Sequence, residues 1–213
     1  MKMTIDYSLY LVTDRPLSLG RDLLEIIQKA IDGGVTIVQL REKNCATREF
    51  VELARAAKAV LDPKKIPLII NDRADVALAA GAAGLHIGQT DMAYKDARKI
   101  MGPDAIVGLS VENIQQVEDA GAIDPDYLGV GPIFATQTKP DAAPPIGLDG
   151  LTRIRKITNR PLVAIGAIHA GNARDVILAG ADGVAVVSAI CSLQDPAKAA
   201  KNLARAIRLA QQG

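Results

Sequence analysis

Polar side chains in this 213-residue chain stand where buried strands would end. Gln39, Arg41, Lys43, Asn71, Asp72, Asp91, Ser110, Thr136, Thr138 and Lys139 each follow a short apolar run, most of them rich in Val, Ile and Leu. An ionised group buried without a partner is costly. Such tips therefore gather at a rim that faces a ligand. Cations, a carboxylate pair, amides and hydroxyls in one place suit a polyphosphate with a divalent cation. Arg offers phosphate a two-pronged hydrogen bond and Lys a point charge. Mg2+ takes one or two carboxylates together with phosphate oxygens and water.

Taken one at a time the clusters say less. In Gln39-Leu40-Arg41-Glu42-Lys43, alternate strand residues share a face, so Gln39, Arg41 and Lys43 point one way while the strand lasts. Alone, the segment also reads as a surface loop with Glu42 paired locally. Asn71-Asp72 and Asp91 follow neighbouring strands, which brings the carboxylates close. Both Asp residues also precede helical patterns, where Asp is a common N-cap, and the two readings are evenly matched. Ser110 by itself reads first as a helix cap. Residues 131–140, GPIFATQTKP, make an anion clamp or a lid that excludes water, or else a solvated loop. Ile165-Gly166-Ala167 and Val187-Ser188 follow the last two apolar runs. There Gly166 would let a phosphate reach backbone N–H groups. His86 lies within a strand pattern and reads as a satisfied barrel histidine. His169 is assigned no role, and no HxxH, Ser-His-Asp or Cys-His arrangement is visible.

The elements that must carry these tips alternate from end to end. Strands are expected at Ser8–Thr13, Thr36–Leu40, Pro67–Ile70, Gly84–Ile87, Ala105–Leu109, Asp126–Val130, Pro161–Ile165 and Gly183–Val187. Helices are expected at Arg21–Asp32, Thr47–Leu61, Arg73–Ala80, Met92–Met101, Val111–Ala120, Gly147–Thr158, Asn172–Ala179 and Pro196–Gln211. Alternating strands and helices build parallel βαβ units. Eight pairs favour an α/β fold of the (β/α)8, or TIM, barrel type in one domain over residues 1–213. Gly33-Gly34, Gly81, Gly121 and Gly180 follow helical patterns, where Gly closes a helix in the left-handed conformation. The other architecture, an open doubly wound sheet, would carry GxGxxG after the first strand. The turn there reads Thr13-Asp14-Arg15-Pro16.

Composition narrows the class of function. Aromatic residues are 3% and the formal net charge is +1, which argues against a nucleic-acid footprint. Cys45 and Cys191 form no metal or disulfide pattern and read as reduced thiols. The N-terminus lacks a signal-peptide apolar stretch, and no segment approaches the roughly 20 apolar residues of a membrane helix. A soluble cytoplasmic protein is expected, acting on small molecules, without nucleic acid or membrane partners. A homo-oligomer is compatible with the sequence.

Together the motifs QLREK at 39–43, ND at 71–72, HIGQTD at 86–91, GLS at 108–110, GPIFATQTK at 131–139 and GADGVAVVSAI at 180–190 resemble thiamine phosphate synthase, in family order and over nearly the whole chain. The resemblance implies a (β/α)8 barrel that joins a hydroxymethylpyrimidine diphosphate to a hydroxyethylthiazole phosphate. The products are thiamine monophosphate and diphosphate, reached through a pyrimidine carbocation. It implies pyrimidine diphosphate binding by Gln39, Leu40, Arg41, Glu42, Lys43, Asn71, Ser110 and Lys139. Arg41, Lys43, Ser110 and Lys139 would act in catalysis, with Mg2+ on Asp72 and Asp91. Thiazole phosphate would lie on Thr136, Gln137, Thr138, Gly166, Val187 and Ser188. One position departs from the family pattern: Gly-Gly is common after strand seven, and here the second residue is Ala167, which would be strained at positive φ. The alternatives are a related thiazole tautomerase, which has no need of the diphosphate-binding set, and a non-catalytic barrel that binds thiamine phosphate.

Overall fold

The structure is a computed structural model that describes residues 5–136, 138 and 143–212. Eight strands run β1 (Leu9–Val12), β2 (Ile37–Leu40), β3 (Leu68–Asn71), β4 (Gly84–Ile87), β5 (Ile106–Val111), β6 (Tyr127–Val130), β7 (Leu162–Ile165) and β8 (Gly183–Val186). All neighbours are parallel, and β1 pairs with β8 through Leu9↔Val184, so the sheet closes into a barrel. Closure rules out the open doubly wound sheet.

The outer layer is α1 (Leu23–Asp32), α2 (Thr47–Leu61), α3 (Ala74–Ala80), α4 (Tyr94–Met101), α5 (Ile114–Gly121), α6 (Gly147–Ile157), α7 (Ala173–Leu178), the short α8 (Ser188–Cys191) and α9 (Pro196–Gln211). Every expected strand and helix is present, with ends shifted by up to three residues. The largest shift is at α5, because Val111 stays in β5 and Asn113 caps the helix by accepting from the Gln116 amide. Asp22 and Asp195 cap α1 and α9 in the same way. Gly81 closes α3 in the left-handed conformation as expected. Gly121 does not: it is the last residue of α5, and Asp124 takes the left-handed turn that follows. The unforeseen element is α8, too short to show a helical period.

The strands sort their side chains by the pleat period of two. Outward residues such as Leu11, Leu40, Ile70, Leu85, Val107 and Leu128 pack under helix residues including Ile27, Phe50, Ala77 and Leu203. Inward residues Tyr10, Val12, Ile37, Ile69, Ile106, Tyr127, Val163 and Ala185 form a separate layer inside the barrel. Each fully buried aliphatic side chain contributes about 1.5–3 kcal/mol, so the walls that carry the rim are firmly set. No helix among the described residues is long and apolar enough to cross a membrane.

Candidate active site

A cavity of about 410 Å3 opens at the carboxyl ends of the strands, a size suited to a small ligand. It is the end of the barrel at which enzymes of this fold work. Gln39, Arg41, Lys43, Asn71, Asp72, Asp91, Ser110, Thr136, Thr138, Gly166, Val187 and Ser188 all line it. The tips that lie far apart in the sequence thus meet in one chamber.

Two of the residues expected at the pyrimidine diphosphate do not turn their side chains into the cavity. Leu40 faces outward and is wholly buried in the layer beneath the helices. Glu42 turns aside to Arg15, with both carboxylate oxygens 3.1 Å from Nε and its side chain 4% exposed. Neither side chain lines the cavity, so either residue can reach a ligand only through its backbone. Gln137 and Lys139 lie outside the described residues.

The cationic side of the rim is tied to carboxylates. Arg41 Nη1 lies 2.7 Å from Asp14 Oδ2, and Thr13 Oγ1 accepts from the Arg41 amide at 3.1 Å. Lys43 Nζ lies 2.5 Å from Asp72 Oδ2. Asp91 Oδ2 accepts from the Gly88 amide at 2.7 Å. Neither Asp72 nor Asp91 caps a helix: the residues at the starts of α3 and α4 are Arg73 and Ala93, without side-chain caps. Burial holds the Asp72 carboxyl above the ordinary carboxylate range; Lys43 opposes this and the neighbouring Asp91 adds to it. Two carboxylates crowded in this way disfavour ionisation of both at once. Asp72 itself sits at φ 62°, a conformation Asp tolerates better than most residues.

Ser110 is likewise no cap. It lies within β5, and its Oγ is 2.8 Å from His86 Nε2. His86 Nδ1 is 2.8 Å from the Tyr127 hydroxyl, which is 2.8 Å from the Tyr10 hydroxyl. Gln39 Nε2 donates to Tyr10 at 2.9 Å. His86 is thus a satisfied barrel histidine, and it also lines the cavity. Burial pulls its imidazole down to about 4, with the Asp91 charge acting the other way. Among the described residues no buried side-chain nitrogen or oxygen lacks a partner. The sequence reasoning missed Asp14, Tyr10 and Tyr127. Asp14 carried the usable signal, since it follows the first apolar run just as Asp72 follows the third.

At β7, Gly166 has φ 114°, and a Cβ there would stand 2.7 Å from Pro132 Cβ and 2.8 Å from the Ile133 nitrogen. Only glycine fits. Ala167 has φ 49°, so the strain anticipated for this departure is present. A left-handed alanine costs about 1–2 kcal/mol, and glycine gives back roughly 0.5–1 kcal/mol through unfolded-chain entropy. Ala167→Gly should therefore raise stability by about 0.5–1 kcal/mol. Urea unfolding checks this, and an unchanged or lowered midpoint contradicts it.

A closed eight-stranded parallel barrel with a polar, ion-paired chamber at its carboxyl mouth defines a TIM-barrel enzyme. A family model described as thiamine monophosphate synthase matches residues 9–190. The chain is 55% identical over 199 residues to the thiamine-phosphate synthase of Albidiferax ferrireducens, covering 93% of this chain and 91% of that one. It is 49% identical over 208 residues to that of Chloroflexus aurantiacus, covering 98% and 96%. The thiamine phosphate pyrophosphorylase of Pyrococcus furiosus superposes with a TM-score of 0.89 at 36% identity, over 96% of this chain and 97% of that one. A 3-hexulose-6-phosphate synthase, at 20% identity and a TM-score of 0.66, shares the fold alone. The chain belongs to the thiamine monophosphate synthase family, and its activity is that of a thiamine-phosphate synthase, a transferase.

Proposed function

We propose that the chamber holds two phosphorylated substrates on opposite walls. One observation carries this reading: Asp72 and Asp91, after β3 and β4, stand four strands round the eight-stranded ring from Gly166 and Ala167 after β7 and from Ser188 after β8, and Lys43 joins the carboxylates through Asp72. The first wall suits the diphosphate of hydroxymethylpyrimidine diphosphate, the second the single phosphate of hydroxyethylthiazole phosphate.

Diphosphate leaves readily only when its growing charge is neutralised. Arg41 and Lys43 supply fixed positive charge there; the family resemblance gives Lys139, outside the described residues, the same part. Asp72 and Asp91 suit Mg2+: they are a close carboxylate pair, and among the described residues no third metal-ligating side chain joins them, which leaves positions for phosphate oxygens and water. When bound, the ion would add Lewis-acid neutralisation of the leaving group. Lys43, now on Asp72, would then be released to the diphosphate.

The pyrimidine methylene carbon parts from the diphosphate oxygen, which keeps the electron pair. The resulting cation is captured by the lone pair of the thiazole nitrogen, forming the C–N bond. Thr136 and Thr138 close the chamber, and Ser110 and Gln39 hold the pyrimidine. No side-chain nucleophile is needed. With small-molecule substrates of this kind, no nucleic acid or membrane partner is required.

Purified protein given both substrates and Mg2+ should release thiamine phosphate and diphosphate in equal amounts, and neither when one substrate is withheld. Absence of product under these conditions would sink the reading.

A further inference from the structure

The buried chain below the chamber has a direction. The Gln39 side-chain nitrogen can only donate, and it donates to the Tyr10 hydroxyl at 2.9 Å. Tyr10, 1% exposed, is left with its own proton, for which the Tyr127 hydroxyl at 2.8 Å is the acceptor. Tyr127 then donates to His86 Nδ1, also at 2.8 Å. A neutral imidazole that accepts at Nδ1 carries its proton on Nε2, and this donates to Ser110 Oγ at 2.8 Å. The one proton left over is that of Ser110, whose side chain lines the chamber. With the Gln39 nitrogen turned to Tyr10, the reverse direction would strand the Tyr10 proton without an acceptor among the described residues, and an unsatisfied buried donor is penalised.

Neighbouring strands are shaped around this chain. A Cβ on Gly108 would stand 2.1 Å from Tyr127 Cζ, and one on Gly129 would stand 3.0 Å from His86 Cε1. Both glycines leave the space the two rings fill. The rings stack with centroids 5.4 Å apart.

We propose that Tyr10, Tyr127 and His86 are positioning residues that fix the Ser110 hydroxyl as a hydrogen-bond donor, so that the site demands an acceptor nitrogen at that point of the pyrimidine ring. The substrate half of this inference rests on the pyrimidine diphosphate reading above; the relay does not. A pyrimidine ring nitrogen can only accept, so a donor of fixed direction rewards it and rejects a C–H in the same place. Discrimination of this kind comes from leaving a polar group of the site unpaired.

Two measurements test it. The first is the tautomer of His86, read from its imidazole nitrogen chemical shifts and separated from His169 with a His169→Asn variant. We expect the proton on Nε2 in the wild type and a mixture of tautomers in Tyr127→Phe; a proton on Nδ1 in the wild type overturns the relay whatever the substrate. The second is kcat/KM for hydroxymethylpyrimidine diphosphate against its two pyridine analogues, in each of which one ring nitrogen is replaced by C–H. The wild type should reject one analogue by about ten- to a hundredfold, and Tyr127→Phe by no more than about threefold. His86→Gln, whose amide can accept from Tyr127 and donate to Ser110, should keep the preference, and His86→Leu should lose it. Undiminished discrimination in Tyr127→Phe, or none in the wild type, overturns the specificity claim. If neither natural substrate is turned over, the proposed function fails while the tautomer still decides the relay.

Discussion

Asp72→Asn and Asp91→Asn should each lower turnover by about a hundred- to a thousandfold and raise the Mg2+ concentration needed for half-maximal rate. The magnitude is that of removing one preorganised electrostatic contact from a transition state in which charge develops. Both substitutions keep the shape of the site. Asn tolerates the left-handed backbone at position 72 as Asp does. At position 91 the amide oxygen of an asparagine can still accept from the Gly88 amide that Asp91 now engages at 2.7 Å. What is lost is charge. In Asp72→Asn the loss also frees Lys43 from its 2.5 Å partner, so part of the cost falls on Lys43 placement. Because binding of both substrates draws on other residues as well, the effect should fall on kcat more than on the KM for the thiazole phosphate. Rate against Mg2+ concentration, at saturating substrates, checks this. An unaltered titration in either variant would contradict the metal role.

His86 should make the metal-free protein markedly acid-sensitive. Its folded-state value is pulled down to about 4, against about 6.5 for a free imidazole. Between these values the unfolded chain binds a proton that the folded chain does not, so stability rises with pH in this window. The contribution is whole above about pH 6.5 and is lost as pH falls toward 4, a total of about 3 kcal/mol. The physical source is burial among hydroxyls and rings with no carboxylate in hydrogen-bond contact: Tyr127 on one nitrogen and Ser110 on the other. Urea unfolding at pH 7 and pH 4 should show the wild type losing about 3 kcal/mol more than His86→Gln, since other titrating groups are common to both. Equal losses would place the imidazole proton affinity near its ordinary value and refute the account of this core.

The barrel was legible because its evidence is periodic. Eight apolar runs and eight amphipathic segments recur, which is why a closed barrel is expected, and the Leu9↔Val184 pairing bears that closure out. The rim was legible for a related reason: Arg41, Asn71, Asp72 and Ser110 end their runs with side chains that no core would accept. Legibility failed where a side chain's direction mattered. Leu40 and Glu42 lie inside a charged motif, yet the pleat and Arg15 turn them away. Tyr10 and Tyr127 are core residues, but their hydroxyls extend the core chemistry into the chamber through His86. No pattern in a linear sequence marks a contact such as that between residues 86 and 127. Position alone makes Asp72, Asp91 and Ser110 fair candidates for caps; that reading gives way because Arg73, Ala93 and Asn113 occupy the cap positions.

The division of the chamber into a diphosphate wall and a monophosphate wall is tested most directly by one crystal structure, grown with Mn2+ in place of Mg2+ and with diphosphate and thiamine phosphate as ligands. The account predicts an anomalous Mn2+ peak between Asp72 and Asp91, diphosphate against Arg41 and Lys43, and the thiamine phosphate ester group against Gly166, Ala167 and Ser188. Diphosphate seated at Gly166 and Ser188, or Mn2+ bound away from both carboxylates, would contradict it.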